Sequence, residues 1–348
     1  MRRPAYTSPL IPALLLLAAL GWGCSSSSFG GKLLPDTMIS WPPGVDEARV
    51  EVLYTYSGSA KPGGEEGFLS ALSDWITGSE EIHFVSPYGM ALASNGALIV
   101  ADAGLGGVHE VDLEERTHKL YMGSESRPME TPIGVAVGPR GRIYVTDSTA
   151  CCVHILSPEG DSAGTFGDSV ELGRPTGIAY DATRDRILIT DTTGGRILSF
   201  APDGTLLETF GDRGDAQGQF NYPTNIAVDK RGRIFVVDTM NFRVQVLSPE
   251  FEAEHAFGLG GDGPGTFARP KGIALDSDGH VYVVDALFDN IQIFTEEGDL
   301  LLTVGARGTG FGGFFLPSGI LIDDSDQVFI SDAGNARIQA LRYRSTTP

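Results

Sequence analysis

Six aspartates recur along this 348-residue chain, at Asp102, Asp147, Asp191, Asp238, Asp285 and Asp332. Six carboxylates in phase could ring a cation, or each could close a local turn by accepting backbone N–H groups. Arg196, Arg243 and Arg337 follow three of them at plus five, which favours a local ion pair or cap, and their presence in only half the copies means the pair is not required for the fold. His109 and His154 each lie seven residues after an Asp, yet the same phase holds Leu198, Gln245, Gln292 and Gln339, so it is a mostly polar strand position. On adjacent sheets two such His are about 10 Å apart or more, too far to share zinc.

Other chemistry-bearing stretches read the same way. Cys151 and Cys152 fall where other copies have x-Arg, and neighbouring strand side chains point to opposite faces, so a vicinal disulfide needs a distorted turn; inert thiols are the other reading. The Gly-rich stretches GDRGDAQGQFNYP, GLGGDGPGTFARP and GARGTGFGGFFLP look like phosphate loops but precede no helix, and read as connections plugged by Phe220, Phe267 and Phe314. DSDG (276–279) and DDSD (323–326) lack the ligand pattern of an EF-hand and read as hairpin turns. No Gly-x-Ser-x-Gly elbow is present. No catalytic residue, metal ligand or cofactor is therefore assigned.

The elements that position these residues are repeats. A Pro opens each copy, at Pro87, Pro132, Pro175, Pro223, Pro270 and Pro317, with a period of 43 to 48 residues. From Pro to Asp is 15 residues, or 16 in the third copy, where DATRDR lengthens a turn. Each copy reads as four strands, such as NIAVD, RIFVVD, RVQVL and a final run like LLETFG, separated by turns such as DKRGR and PDGT. The second strand is apolar on both faces, so each sheet must be covered on both sides. Helical repeats fail because Gly and Pro interrupt every apolar run. The prediction is an all-β, six-bladed β-propeller of four-stranded antiparallel blades.

The strings PxGIAVD, GRIYVTD and NxRVQV resemble NHL repeats over about residues 87–342, a likeness specific for fold and poor for function. The sixth copy lacks an outer strand, and ARVEVLYTYSG (48–58) is expected to complete it. Between that strand and blade one, GFLSALSDWITG (about 67–77) reads as an amphipathic helix. Two residues after each Pro stand Gly89, Gly134, Gly177, Asn225, Gly272 and Gly319, a position that needs positive φ or close backbone approach. The residue directly after the Pro varies, so Tyr88, Thr176, Thr224, Lys271 and Ser318 are the ligand-binding candidates at the axial mouth.

The N-terminus reads as an export signal: Arg2 and Arg3, then an apolar run ending at Cys24. It resembles a bacterial lipoprotein signal, with residues 1–23 removed, Cys24 lipidated and 24–40 a flexible tether to a propeller over 41–345. Leu20 and Trp22 depart from that pattern, and ordinary secretion is the alternative. Removal of the signal leaves 23 basic and 45 acidic residues, a net charge of −22, which disfavours nucleic acid. The expectation is a non-enzymatic, envelope-tethered scaffold binding a protein, peptide or glycan, on the periplasmic or outer-membrane face. The alternative implied by the resemblance is an exported lyase or lactonase-like hydrolase with an axial metal, although no metal triad aligns.

Overall fold

The structure is a computed structural model describing residues 29–33, 39–42, 50–59, 82–115 and 117–343. The signal over 1–23, Cys24 and the helix expected near 67–77 lie outside the described residues. Blades 1 to 5 are four-stranded antiparallel meanders. Blade 4 is representative, with Pro223–Val228 innermost, then Ile234–Asp238, Arg243–Leu247 and Ala253–Phe257 outermost. Its second strand is buried at all five positions, because neighbouring blades cover both faces of the sheet.

The ring closes through the inner strands. Pro87–Leu92, Pro132–Val137, Pro175–Asp181, Pro223–Val228, Pro270–Leu275 and Ile320–Ile322 touch in that order, and Ile320–Ile322 touches Pro87–Leu92 again. Six core clusters fill the seams; one brings Phe235 and Val237 of blade 4 against Val281 and Val283 of blade 5. At roughly 25 cal/mol per Å² of buried apolar surface, these seams are the main source of stability.

Blade 6 is completed by the N-terminal strand. Val50–Ser59 pairs antiparallel with Arg337–Tyr343, with Val52 opposite Leu341 and Tyr56 opposite Ile338. Chain ends some 280 residues apart in sequence are thus joined in one sheet, which removes an open edge. Two further short strands cover the outer side of Val50–Ser59: Phe29–Leu33 and Ser40–Trp41. Blade 6 is accordingly wider than four strands, and within the stretch expected to be tether, Phe29–Leu33 is strand. The exposed edge of a closing strand is a pairing template, and adjoining chain occupies it.

Close approach explains the phase two residues after each Pro. None of Gly89, Gly134, Gly177, Asn225, Gly272 and Gly319 has positive φ. A Cβ at Gly134 would instead sit 2.2 Å from the Thr176 carbonyl oxygen, and one at Gly319 2.0 Å from that of Tyr88. The inner strands touch backbone to backbone around the axis. Asn225 fits because its side chain turns back, Oδ1 accepting from the Ile226 N–H at 2.8 Å.

Candidate axial binding site

The six recurrent Asp are each fully buried at the end of a second strand. Each accepts backbone N–H groups from the loop entering its own blade. Asp285 takes the amides of Ala268, Arg269, Leu287 and Phe288 at 2.7 to 3.2 Å. Asp191 takes Gly173, Arg174 and Gly194 and pairs with Arg196 Nε at 3.0 Å. Arg243 and Arg337 pair likewise with Asp238 and Asp332, at 2.9 and 2.7 Å. These guanidiniums also donate to loop carbonyls, Arg337 to Thr309, Gly310 and Gly313. In the other blades the carboxylate is satisfied without Arg: Asp102 and Asp147 face His109 and His154 at 3.3 and 3.4 Å. The Asp are thus local staples between loop and sheet, and no ring of carboxylates around a cation forms among the described residues.

The environment decides how each carboxyl is held. Burial pushes the Asp147 carboxyl up, but the His154 contact and the amides of Ala150, Glu130 and Thr131 overcome it and hold the group well below the usual range. At Asp238 burial wins over Asn221, Asn241 and Arg243, and the pKa is raised.

The polar phase seven residues after the Asp has a structural use that repeat counting did not reveal. Gln245, Gln292 and Gln339 occur in the blades preceded by long Gly-rich loops, and each clamps its loop. Gln292 Oε1 accepts from Gly265 N–H at 2.9 Å while Nε2 donates to the Thr266 carbonyl at 2.8 Å. Gln245 bonds Gly218 and Gln219, and Gln339 bonds Gly312 and Gly313. Phe220, Phe267 and Phe314 are fully buried where these loops cross the seams. The acidic turns are self-satisfied too: Asp276 accepts from Asp278 and His280 amides, and Asp323 from Ser325 and Gln327 amides. Cys151 and Cys152 are free thiols, with Cys151 at φ 53° in the left-handed turn.

All five variable candidates meet at one end of the axis. Tyr88, Thr176, Thr224, Lys271 and Ser318 line a single cavity of about 220 Å³. Geometry then separates them. The Thr176 hydroxyl donates to the Thr224 carbonyl at 2.9 Å, and Ser318 Oγ to the Pro87 carbonyl at 2.8 Å. Thr224 Oγ1 lies 2.7 Å from Thr239 Oγ1, which itself donates to the Pro270 carbonyl. The Thr176 and Ser318 hydroxyls are stitches between neighbouring blades, and Thr224 joins another such stitch through Thr239. Tyr88 and Lys271 instead face each other, with Nζ 3.3 Å from the phenol oxygen and 4.8 Å from the ring centre.

The lining residues missed include Arg174, Tyr222, Arg269 and Met240. The first three directly precede an opening Pro, and Met240 is two residues after Asp238, so the loops beside the strand ends carry the variation. Tyr222 is 38 % and Met240 50 % exposed, and Tyr222 sits at φ 55° with the Arg213 guanidinium 5.0 Å from its ring. A positive φ at an aromatic residue costs on the order of 1 kcal/mol and holds this ring toward solvent. Among the described residues, no His, Cys, Asp or Glu lines the cavity, so those residues do not supply the ligands that an axial metal-dependent lyase or lactonase would need.

Comparison with known proteins agrees with this geometry. The NHL repeat profile matches residues 130–156, 220–247 and 267–294. No curated protein matches the sequence. Among solved structures, a streptogramin B lyase is similar at 17 % identity and a TM-score of 0.57, covering 76 % of this chain and 95 % of that one. A putative gluconolactonase is similar at 15 % identity and 0.57, covering 75 % and 89 %. An auxiliary nutrient binding protein from Bacteroides thetaiotaomicron is similar at 14 % identity and 0.57, covering 75 % and 70 %. At these identities the likeness is one of fold.

Proposed function

Since the chain is a six-bladed β-propeller carrying NHL repeats, we propose that it is an exported binding module, tethered to the bacterial envelope through Cys24, that docks its partner at the axial mouth. The observation that carries this reading is a division of labour among the side chains. Asp, Arg, Gln and Gly in repeat phase are taken up holding blades and loops together, while Tyr88, Lys271, Arg174, Arg269, Tyr222 and Met240 converge on one cavity. Loops at the same end of the blades also carry exposed apolar side chains, Val85, Leu287 and Leu316. Apolar groups around a concave centre with few polar groups are the ordinary make-up of a binding site. A protein, peptide or glycan fits such a mouth. Among the known propellers, a nutrient-binding protein is consistent with that use of the fold, and the described lining residues offer no ligand set for the lyase and lactonase readings.

The test is site-specific photo-crosslinking in cells producing the full chain, with a benzophenone side chain at Tyr222 and, as control, at Leu207 on an outer strand. Adducts at Tyr222 and none at Leu207 support docking at the mouth; the reverse pattern overturns it. For the anchor, an alkynyl fatty acid should label the wild-type protein and not Cys24→Ser, and equal labelling of both would remove the lipid from the reading.

A further inference from the structure

The mouth has a charge opposite to that of the molecule. The chain carries 45 acidic and 25 basic residues, yet Arg174, Arg269 and Lys271 line the axial cavity and, among the described residues, no carboxylate does. None of the three forms an ion pair among the described residues. The nearest buried acids are already engaged: Asp191 and Asp238 hold Arg196 and Arg243, and Asp285 lies under the amides of Ala268 and Arg269. Three unpaired cations around a concave, low-dielectric recess focus a positive field into it, against a background that repels anions elsewhere.

Two details narrow the chemistry. Phosphate sites are usually built from converging backbone N–H groups, but here the amides beside Arg174 and Arg269 point to Asp191 and Asp285. The side-chain donors of Arg174, Arg269 and Lys271 are left to face the recess, and a guanidinium fork matches the two oxygens of a carboxylate. Around them Tyr222, Met240 and Ile133 supply aromatic and apolar surface, beside Thr and Ser residues of the inner strands. Below, sharing Gly89, Asn225 and Gly319 with the mouth, a second cavity of about 240 Å³ continues down the axis between Ile226, Ile273 and Ile320.

Resting on the reading of the mouth as a binding site, we propose that its ligand is an organic carboxylate: the charge is held by Arg174, Arg269 and Lys271, and the apolar body lies against Tyr222 and Met240. Lys271 is set for this by Tyr88, whose ring and hydroxyl hold the ammonium at the rim. A free small acid, or a carboxylate borne on an apolar segment of a peptide, presents this same group.

The experiment is calorimetric titration of the purified full chain with phenylacetate, with neutral phenylacetamide, and with phenyl phosphate. Phenylacetate is expected to bind about tenfold or more tighter than phenylacetamide, the usual gain for a charge-assisted contact. Lys271→Met and Arg269→Gln should each weaken phenylacetate several-fold and leave phenylacetamide unchanged. Arg184→Gln, on the outer surface against Glu250, should change neither. Circular dichroism melting of each variant separates lost binding from lost fold. Equal binding of acid and amide, or no effect of the two substitutions, overturns the charge assignment. Tighter binding of phenyl phosphate overturns the choice of carboxylate, and binding of no probe at millimolar concentration overturns the inference altogether. The docking reading stands or falls separately, on the crosslinks at Tyr222.

Discussion

The imidazoles of His109 and His118 lie 2.7 Å apart, Nδ1 of the first to Nε2 of the second, in the seam where the first blade meets the strand that closes the last. Tyr56, on that closing strand, reaches His118 Nδ1 at 2.9 Å, and His109 Nε2 lies 3.3 Å from Asp102, a charge contact outside hydrogen-bond geometry. With both imidazoles neutral, one proton arrangement fits the ionised Asp102 at the end: Tyr56 donates to His118, His118 Nε2–H donates to His109, and His109 Nε2–H points at Asp102. Phe84 packs edge-on against both Tyr56 and His109.

That arrangement predicts acid sensitivity at the closure. Burial, with His109 and His83 nearby, lowers the His118 pKa to about 3 from an ordinary 6.5. A base depressed on folding binds fewer protons folded than unfolded, so its contribution is complete above about pH 6.5 and is lost as pH falls toward 3. Allowing for partial exposure, the loss is on the order of 2 kcal/mol. Asp102 acts in the same direction at lower pH: burial would raise its carboxyl, but His109 and the amides of Val85 and Ser86 hold it below the usual range. Urea midpoints at about pH 7.5 and about pH 5 should diverge in the wild type and converge in His118→Phe. Equal divergence in both proteins would remove His118 from this role.

The closing strand should behave as a latch. Leu341 is 2 % exposed, opposite Val52 and packed with Val50, Val328 and Ile330. Leu341→Ala should cost about 2 to 5 kcal/mol. Hydrogen exchange should show the amides of 50–59 losing protection before those of blades 2 to 4. Uniform loss around the ring would contradict a local latch.

An Asp staple without an Arg partner should be the least replaceable. Asp285→Ala leaves four N–H groups without their acceptor, a cost of about 3 kcal/mol or more. Chemical denaturation reads this directly, and a change under about 1 kcal/mol would show that water takes over the role.

The two adjacent thiols should differ in reactivity. Cys151 is half-buried with its Sγ 3.4 Å from the Gly173 carbonyl oxygen, whereas Cys152 is fully buried and burial pushes its thiol up to about 11. The thiolate is the reactive form. Under native conditions iodoacetamide should modify Cys151 well ahead of Cys152, as peptide mass mapping will show. A peptide mass lower by two hydrogens would instead reveal a vicinal disulfide.

Sequence by itself determined the blade. The Pro-to-Asp spacing, the doubly apolar second strand and the missing sixth outer strand follow from strand periodicity and the need to bury both sheet faces, and these are local properties. It also pointed to the residue after each Pro, because that phase varies where its neighbours repeat. Only the tertiary structure decided what those residues do. Thr176, Thr224 and Ser318 look as free as Lys271 along the chain, yet their hydroxyls are within reach of a carbonyl or hydroxyl that packing brings beside them. Arg174 and Arg269 sit in different copies, 95 residues apart, and share a cavity because closing the ring brings the corresponding loops of different blades to one end of the axis. Likewise His118, whose place in the sequence shows no pattern, meets His109 through the pairing of adjacent strands, and Tyr56 through the joining of the chain's two ends. A repeat specifies contacts within and between blades, while a site drawn from several copies exists only once the circle is complete.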